Sequence, residues 1–344
     1  MAAAATALAV PAGWIRDRAF DVRFIAGVAA LALASGTAVV AEPRLFPVVL
    51  ALDLWLAGYP HVVATFTRLC FDRASFHERR FLVLGLPPLV LAATATLFVA
   101  VGAWSLASLY LYWQWFHYVR QSHGVAKIYQ RRSGVPLPGD ERLERAAFWA
   151  LPLLGILHRS HQAPTRFLGV ELRVVPVPEL AVALAAAGAL VLLAWWLAAR
   201  ATAAWRGQLP LAHTLYVLSH HAVFFTAYVA IDDPTHGWLV ANVWHNLQYL
   251  AFVWLYNERR FRAGVDPAAP LLSRLSQPGN ASLWFAACLA LATSLYLAIQ
   301  SAVGTLAFAL VVYQTINFHH YLVDGVIWKV RSPRLRSTLG IQEA

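Results

Sequence analysis

The sequence predicts an all-α integral membrane protein, a polytopic helix bundle of about 8–10 transmembrane helices. Of its 344 residues 60% are hydrophobic and only 13% charged, and the mean hydropathy is +0.57. Soluble domains are about half apolar and a quarter charged. The apolar residues also fall in stretches of spanning length, divided by short arginine-rich segments. This composition excludes a soluble enzyme, a disordered chain and a disulfide scaffold. A transporter, a channel and a membrane-embedded enzyme remain.

A spanning helix needs about 20 mainly apolar residues. Stretches that meet this run over 24–41, 45–67, 81–102, 103–126, 178–200, 208–231, 237–257, 281–300 and 303–329. A shorter apolar piece, 146–157, follows the helical signal Asp140-Glu141-Arg142-Leu143-Glu144. No segment reads as strand. The chain divides into a cytoplasmic tail (1–23), a transmembrane domain (24–329, with a polar loop at 127–145) and a cytoplasmic tail (330–344). The apolar start, Ala2 to Ala12, lacks a basic flank and reads as an interfacial tail rather than a cleaved signal.

Charge decides how the short piece is counted. The net charge is +10, and all but Lys127 and Lys329 of the 27 basic residues are arginines. Their runs, such as Arg79-Arg80, Arg131-Arg132 and Arg259-Arg260, punctuate apolar stretches. That pattern fits the positive-inside rule and anionic membrane lipids as partners, and excludes nucleic acid. If 146–157 crosses, the basic loop 258–274 and the basic C-terminus fall on the cytoplasmic side with the loops 68–80 and 127–145. Ten crossings with both termini cytoplasmic is therefore the preferred topology. Its one cost is to leave Arg159, Arg166 and Arg173 on the outer side. Cys70 and Cys288 stand far apart without metal-site spacing, so thiolate chemistry is excluded.

The 13 histidines carry the functional signal. Counted at about 1.5 Å per residue, His61, His117, His220-His221, His245 and His319-His320 fall in one slab roughly 9–18 Å below the cytoplasmic surface, on five helices. Ionisable residues at that depth are functional candidates by default. Imidazole without thiolate suits iron, zinc, copper(II) or nickel. The candidate ligands are His61, His117, His221, His245, His319 and His320. Neighbours on a helix point about 100° apart, so one member of each adjacent pair faces a common centre, and which one stays open. Asp53 and Asp324 are the candidate catalytic carboxylates, placed to orient ligands or relay protons. Gln121, Asn242, Asn317 and Asp324 sit at helical spacing from histidines, as partners for the second ring nitrogen. His158 and His161 have HxxH spacing but an interfacial position, which favours a solvated face. Trp113, Trp115 and Tyr118 can line an apolar tunnel or simply pack.

Four islands, Tyr59-Pro60-His61, Phe116-His117-Tyr118, a later histidine helix at His245, and Phe318-His319-His320-Tyr321-Leu322-Val323-Asp324, resemble in order the motifs of the bacterial Brp/Blh family of membrane β-carotene 15,15'-dioxygenases. The resemblance implies a helical fold in the bacterial cytoplasmic membrane, with iron held by several histidines. It also implies cleavage of a carotenoid with molecular oxygen. By motif it carries over His61, His117 and His319, and His245 more loosely. The glycines that follow the family's first two histidines are Val62 and, two places after His117, Val119 in this chain.

Together these readings lead to the expectation of a His-ligated non-haem iron oxygenase, with one or two iron ions, acting on a lipophilic substrate such as an isoprenoid, carotenoid or lipid. A proton-coupled transporter using buried His and Asp is the first alternative, and a haem-binding membrane protein the second. The HxxxH and HxxHH boxes of membrane desaturases are absent. The only DxxxD spacing, Asp17 to Asp21, lies in the tail, which disfavours a UbiA-like prenyltransferase. Oligomeric state is left open.

Overall fold

The computed structural model describes residues 13–302 and 306–341. The apolar start at Ala2 to Ala12 and the beginning of the 303–329 stretch lie outside the described residues. Among the described residues ten long helical rods follow one another: α1 (Arg18–Ala41), α2 (Pro43–Cys70), α3 (Phe81–Val101), α4 (Ala103–Arg132), α5 (Glu141–Gln162), α6 (Glu179–Trp205), α7 (Leu211–Phe225, continued by a π-helical turn Thr226–Ala230), α8 (Pro234–Arg260), α9 (Ala281–Ala302) and α10 (Leu306–Ile327). The expected all-α bundle is the observed fold. Five rods, α1, α2, α3, α6 and α9, are long and apolar enough to cross a membrane, and the chain is an integral membrane protein.

The rods divide by sequence character into a wrapping set and a core set. The exposed faces of α3 and α6 carry leucine and valine, among them Leu84, Leu89, Val99, Leu184, Leu190 and Val191. Such faces are stable against lipid tails, which are as apolar as leucine. The core set, above all α4 and α8, carries the polar side chains. α8 is buried along most of its length, including Asn242, His245, Asn246, Gln248 and Asn257. Small residues let other helices close on it. A Cβ on Gly36 of α1 would strike Val240, and a Cβ on Gly237 of α8 would strike the Ala227 carbonyl. A single residue, Gly102 at φ +109°, turns α3 into α4, a conformation that favours glycine.

The short apolar piece at 146–157 is the middle of a 22-residue helix, α5, about 33 Å long, which matches a bilayer core in length although α5 is not one of the five apolar rods. Its apolar stretch is short because charges at its ends are neutralised inside the bundle. Glu144 pairs with Arg200 of α6 at 2.5 Å, both buried, and also accepts from Trp196 at 3.1 Å. Arg159 is 1% exposed and donates to the carbonyls of Ala227, Ile231 and Asp232, which the end of α7 leaves unpaired. Arg173 pairs with Glu171 and lies over the Trp104 ring. Two of the three apparently misplaced outer arginines thus have partners of their own, and Arg166 donates to the Gly169 carbonyl. The expectation of no strand is corrected in one place. Arg166–Phe167 (β1) and Val170–Glu171 (β2) form a two-residue antiparallel ladder. Leu168 and Gly169, both at positive φ, make its turn, as a two-residue hairpin requires.

The described ends of the chain meet on one face. Arg132 donates to the carbonyls of Trp14 and Gly340, and Arg259 to those of Ile15 and Leu339. Asp21, fully buried, accepts from the Ile15 and Arg16 amides and from Tyr129. The first helix therefore begins at Arg18, capped by Asp17, six residues before the expected start of the membrane domain. On the same face Asp72 receives Ser75, Arg260 and Arg334, which pins the short helix Pro333–Leu339.

Candidate metal centre

The histidine-bearing rods α2, α4, α8 and α10 all run the same way. Their contacts advance in register: His61 meets His320 and, four residues on, Thr65 meets Asp324. Asp53 meets Asn242, and Thr65 meets Tyr249. An odd number of helices lies between each of these rods and the next, which imposes this direction, and residues at equal height along the bundle therefore become neighbours. α2 needs one further adjustment. Asp53 and His61 are eight residues apart, which leaves them roughly 80° out of line in a regular helix. A π-helical turn, Leu54–Gly58, lies between them and takes up one extra residue, which brings both onto the face towards α8.

His61, His117, His320 and Asp324 offer ligand atoms that all lie within 4.8 Å of one another, and all four residues are buried. The Nε2 atoms of His61 and His320 are 2.8 Å apart, and Asp324 Oδ2 lies 3.6 Å from His320 Nε2. His245 packs beside them, its ring 4.8 Å from that of His61 and 4.9 Å from that of His117. It closes the cluster, although its ligand atoms fall outside the group of four. A metal ion fits this set. His117 Nε2 and Asp324 Oδ2 are buried without a hydrogen-bond partner. Each such atom costs about 1–3 kcal/mol if nothing satisfies it. Two imidazoles bound side by side to one ion at ~2.0–2.1 Å stand about 2.9 Å apart, close to the separation of His61 and His320.

The surrounding contacts orient the donors. Thr65 Oγ1 lies 3.1 Å from His320 Nδ1, so that with Nδ1 as donor the Nε2 lone pair is left free. Asp324 Oδ1 accepts from Tyr249 at 2.9 Å and from Thr65 at 3.2 Å, which directs Oδ2 into the cluster. Trp328 Nε1 donates to Tyr249 at 2.9 Å, and the Tyr249 ring stacks on His61 at 4.1 Å. Thr65 and Tyr249 escaped the sequence reading, yet each stands four residues after a histidine, at the spacing that stacks side chains on one helical face.

Several expectations are corrected. His319 turns away from the centre, its Nε2 donating to the Leu82 carbonyl at 2.7 Å and its ring stacking on Phe66. Its neighbour His320 takes the inner position, because adjacent helical residues cannot share a direction. His221 lies on α7 among Phe148, Trp196 and His220, outside the cluster. His220 is held by Ser122 and the Phe148 carbonyl. Equal depth placed α7 in the histidine layer, but α7 packs behind α4. Asp53 is buried and accepts from Asn242 and Asn246, and Asn242 in turn accepts from Tyr118, whose ring abuts His245. It is linked to the cluster through these side chains and is not one of its donors. Gln121 does not bond His117, and Asn317 lines a cavity. His158 and His161 face separate backbone carbonyls, of Tyr228 and Val177. Trp113 and Tyr118 each line a cavity, whereas Trp115 is tied to the Pro152 carbonyl.

The cluster separates two cavities. One of about 520 Å³ extends from His117, Tyr321 and Asp324 towards the C-terminal ends of α4, α8 and α10, the face on which the chain ends meet. The other, of about 290 Å³, borders His61, His245 and His320 and extends the opposite way, past Asn242 and Tyr110. Tyr321 borders both. Compared with models of protein families, with curated proteins and with solved structures, the chain matches none.

Proposed function

We propose that the protein is a membrane-embedded, His-ligated iron oxygenase acting on a lipophilic substrate, an isoprenoid, carotenoid or other lipid. The observation that carries this reading is the convergence of three imidazoles and one carboxylate, with His117 Nε2 and Asp324 Oδ2 unpartnered, beside a largely apolar cavity of about 520 Å³. Mixed imidazole and carboxylate donors with positions left open suit non-haem iron. The resemblance of the histidine islands to the Brp/Blh dioxygenases points to the same metal and to molecular oxygen as co-substrate. By the positive-inside rule the basic face, with both chain ends, is cytoplasmic.

Iron bound at His61, His117, His320 and Asp324 would supply the activation of oxygen. The chain's own side chains position and insulate. Thr65 fixes the ring orientation of His320, and Tyr249 and Thr65 hold Asp324 Oδ1. Tyr249 keeps its hydroxyl proton directed at the Asp324 carboxylate, while Trp328 donates to the Tyr249 oxygen. Trp113, Phe116, Phe252 and Trp328 make the cavity wall apolar, and so favour a hydrocarbon over water. No protein nucleophile is called for.

The test is oxygen uptake by the iron-loaded protein in detergent, offered β-carotene and a panel of long-chain lipids. Uptake that requires both iron and a lipid, and is lost in His61→Ala, supports the reading. Iron-loaded protein that consumes no oxygen with any of them contradicts it. The two cavities on opposite sides of a polar cluster favour a second reading, a proton-coupled transporter. Proton flux into liposomes, abolished by Asp324→Asn and independent of metal, would establish that one instead. A haem has less support, because the rings of His117 and His245, 4.9 Å apart and inclined at 71°, leave no flat slot between them.

A further inference from the structure

The larger cavity is not uniformly apolar, and three cations line it. Arg120, an exposed residue one helical turn beyond His117 on α4, lines it 12 residues, about 18 Å, before the helix ends at Arg132. Among the described residues Arg120 has no ion pair, and its guanidinium lies 6.0 Å from the Phe116 ring centroid. Lys329, exposed at the end of α10, borders the same space. Lys127 also lines it but is already paired with Glu141 at 2.6 Å.

We propose that this cavity takes a single-chain amphiphile with an anionic headgroup, a long-chain carboxylic acid or phosphate monoester. The head is held by Arg120 and Lys329, and the chain is directed at the His117–Asp324 edge of the cluster. A volume of about 520 Å³ is that of a site for one small molecule and so for one chain rather than the two of a membrane phospholipid. This inference rests on the oxygenase reading for the meaning of the cluster, but its test reads binding alone.

Native mass spectrometry of the detergent-solubilised full chain counts bound molecules and bound metal in one spectrum. Offered oleic acid, the protein is expected to show one adduct per chain, with methyl oleate at least tenfold less populated. Arg120→Ala with Lys329→Ala should lower the oleate adduct at least tenfold, with metal content unchanged. Arg80→Ala, at an exposed arginine outside the cavity, should leave it unaltered. Equal binding of acid and ester, equal binding by wild type and the double variant, or displacement of oleate by equimolar phosphatidylglycerol would each overturn the proposal. Oleate bound selectively by protein that holds no metal would overturn the oxygenase reading and leave this one standing.

Discussion

His61 and His320 meet Nε2 to Nε2 at 2.8 Å although 259 residues separate them in the chain. Both rings are buried, at 2% and 1% exposure, and a single proton between those atoms makes one hydrogen bond of the pair. An ion bound there would replace that proton and take both lone pairs, and in that sense the pair reads as half of a metal site. Its placement depends on α2 and α10 running in parallel.

The adjacent histidines of α10 provide an internal control. His320→Ala is expected to lower metal affinity at least tenfold, whereas His319→Ala should leave metal content within experimental error of wild type. His221→Ala should also retain the metal. Metal analysis of the three purified variants checks this, and a reversed order for His319 and His320 would refute the assignment of the inner position.

Thr65 and Tyr249 act on the ion through His320 and Asp324. Thr65→Val and Tyr249→Phe are expected to weaken metal binding about 10–100-fold without altering helicity. Chelator competition measures the affinity and far-ultraviolet circular dichroism the fold. Equal affinity in wild type and both variants would show that these hydroxyls only pack.

Away from the membrane, Asp72 ties the α2 end to Arg260 and Arg334. Burial by itself raises the carboxyl, but the Ser75 hydrogen bond and the two arginines outweigh it and hold the group below the usual carboxylate range. A folded-state value below the unfolded one, about 3.9, means stability that is present above that pH and lost as pH falls through the folded value. Asp72→Asn should therefore lower stability by about 1–3 kcal/mol at neutral pH. Thermal melts should show a constant gap to wild type from pH 8 to about 5 and a closing gap below about 4. A gap that widens on acidification would contradict this account.

Much of the architecture is legible in the residues, because lipid demands helices of a set length and composition. α5 looked short since Glu144 and Arg159 read as loop charges, and only the packed bundle reveals Arg200 and the α7 carbonyls that neutralise them. The site was half legible. Depth follows from counting residues, and so His61, His117, His245 and the His319-His320 pair were found as candidates. Lateral position does not follow from counting, and His221 at the right depth sits behind α4 for that reason. The rotation of α10 that chooses His320 over His319 is likewise set by packing. Asp324, first read as a carboxylate for catalysis or for supporting a histidine, stands among the donors themselves.

The central claim is that His61, His117, His320 and Asp324 hold a metal ion, and elemental analysis of protein purified from iron-replete cells tests it most directly. About one equivalent of iron per chain is expected, retained through dialysis and reduced at least tenfold in His61→Ala, His117→Ala and Asp324→Ala. Wild-type protein without stoichiometric metal, or variants that keep as much as wild type, would contradict it.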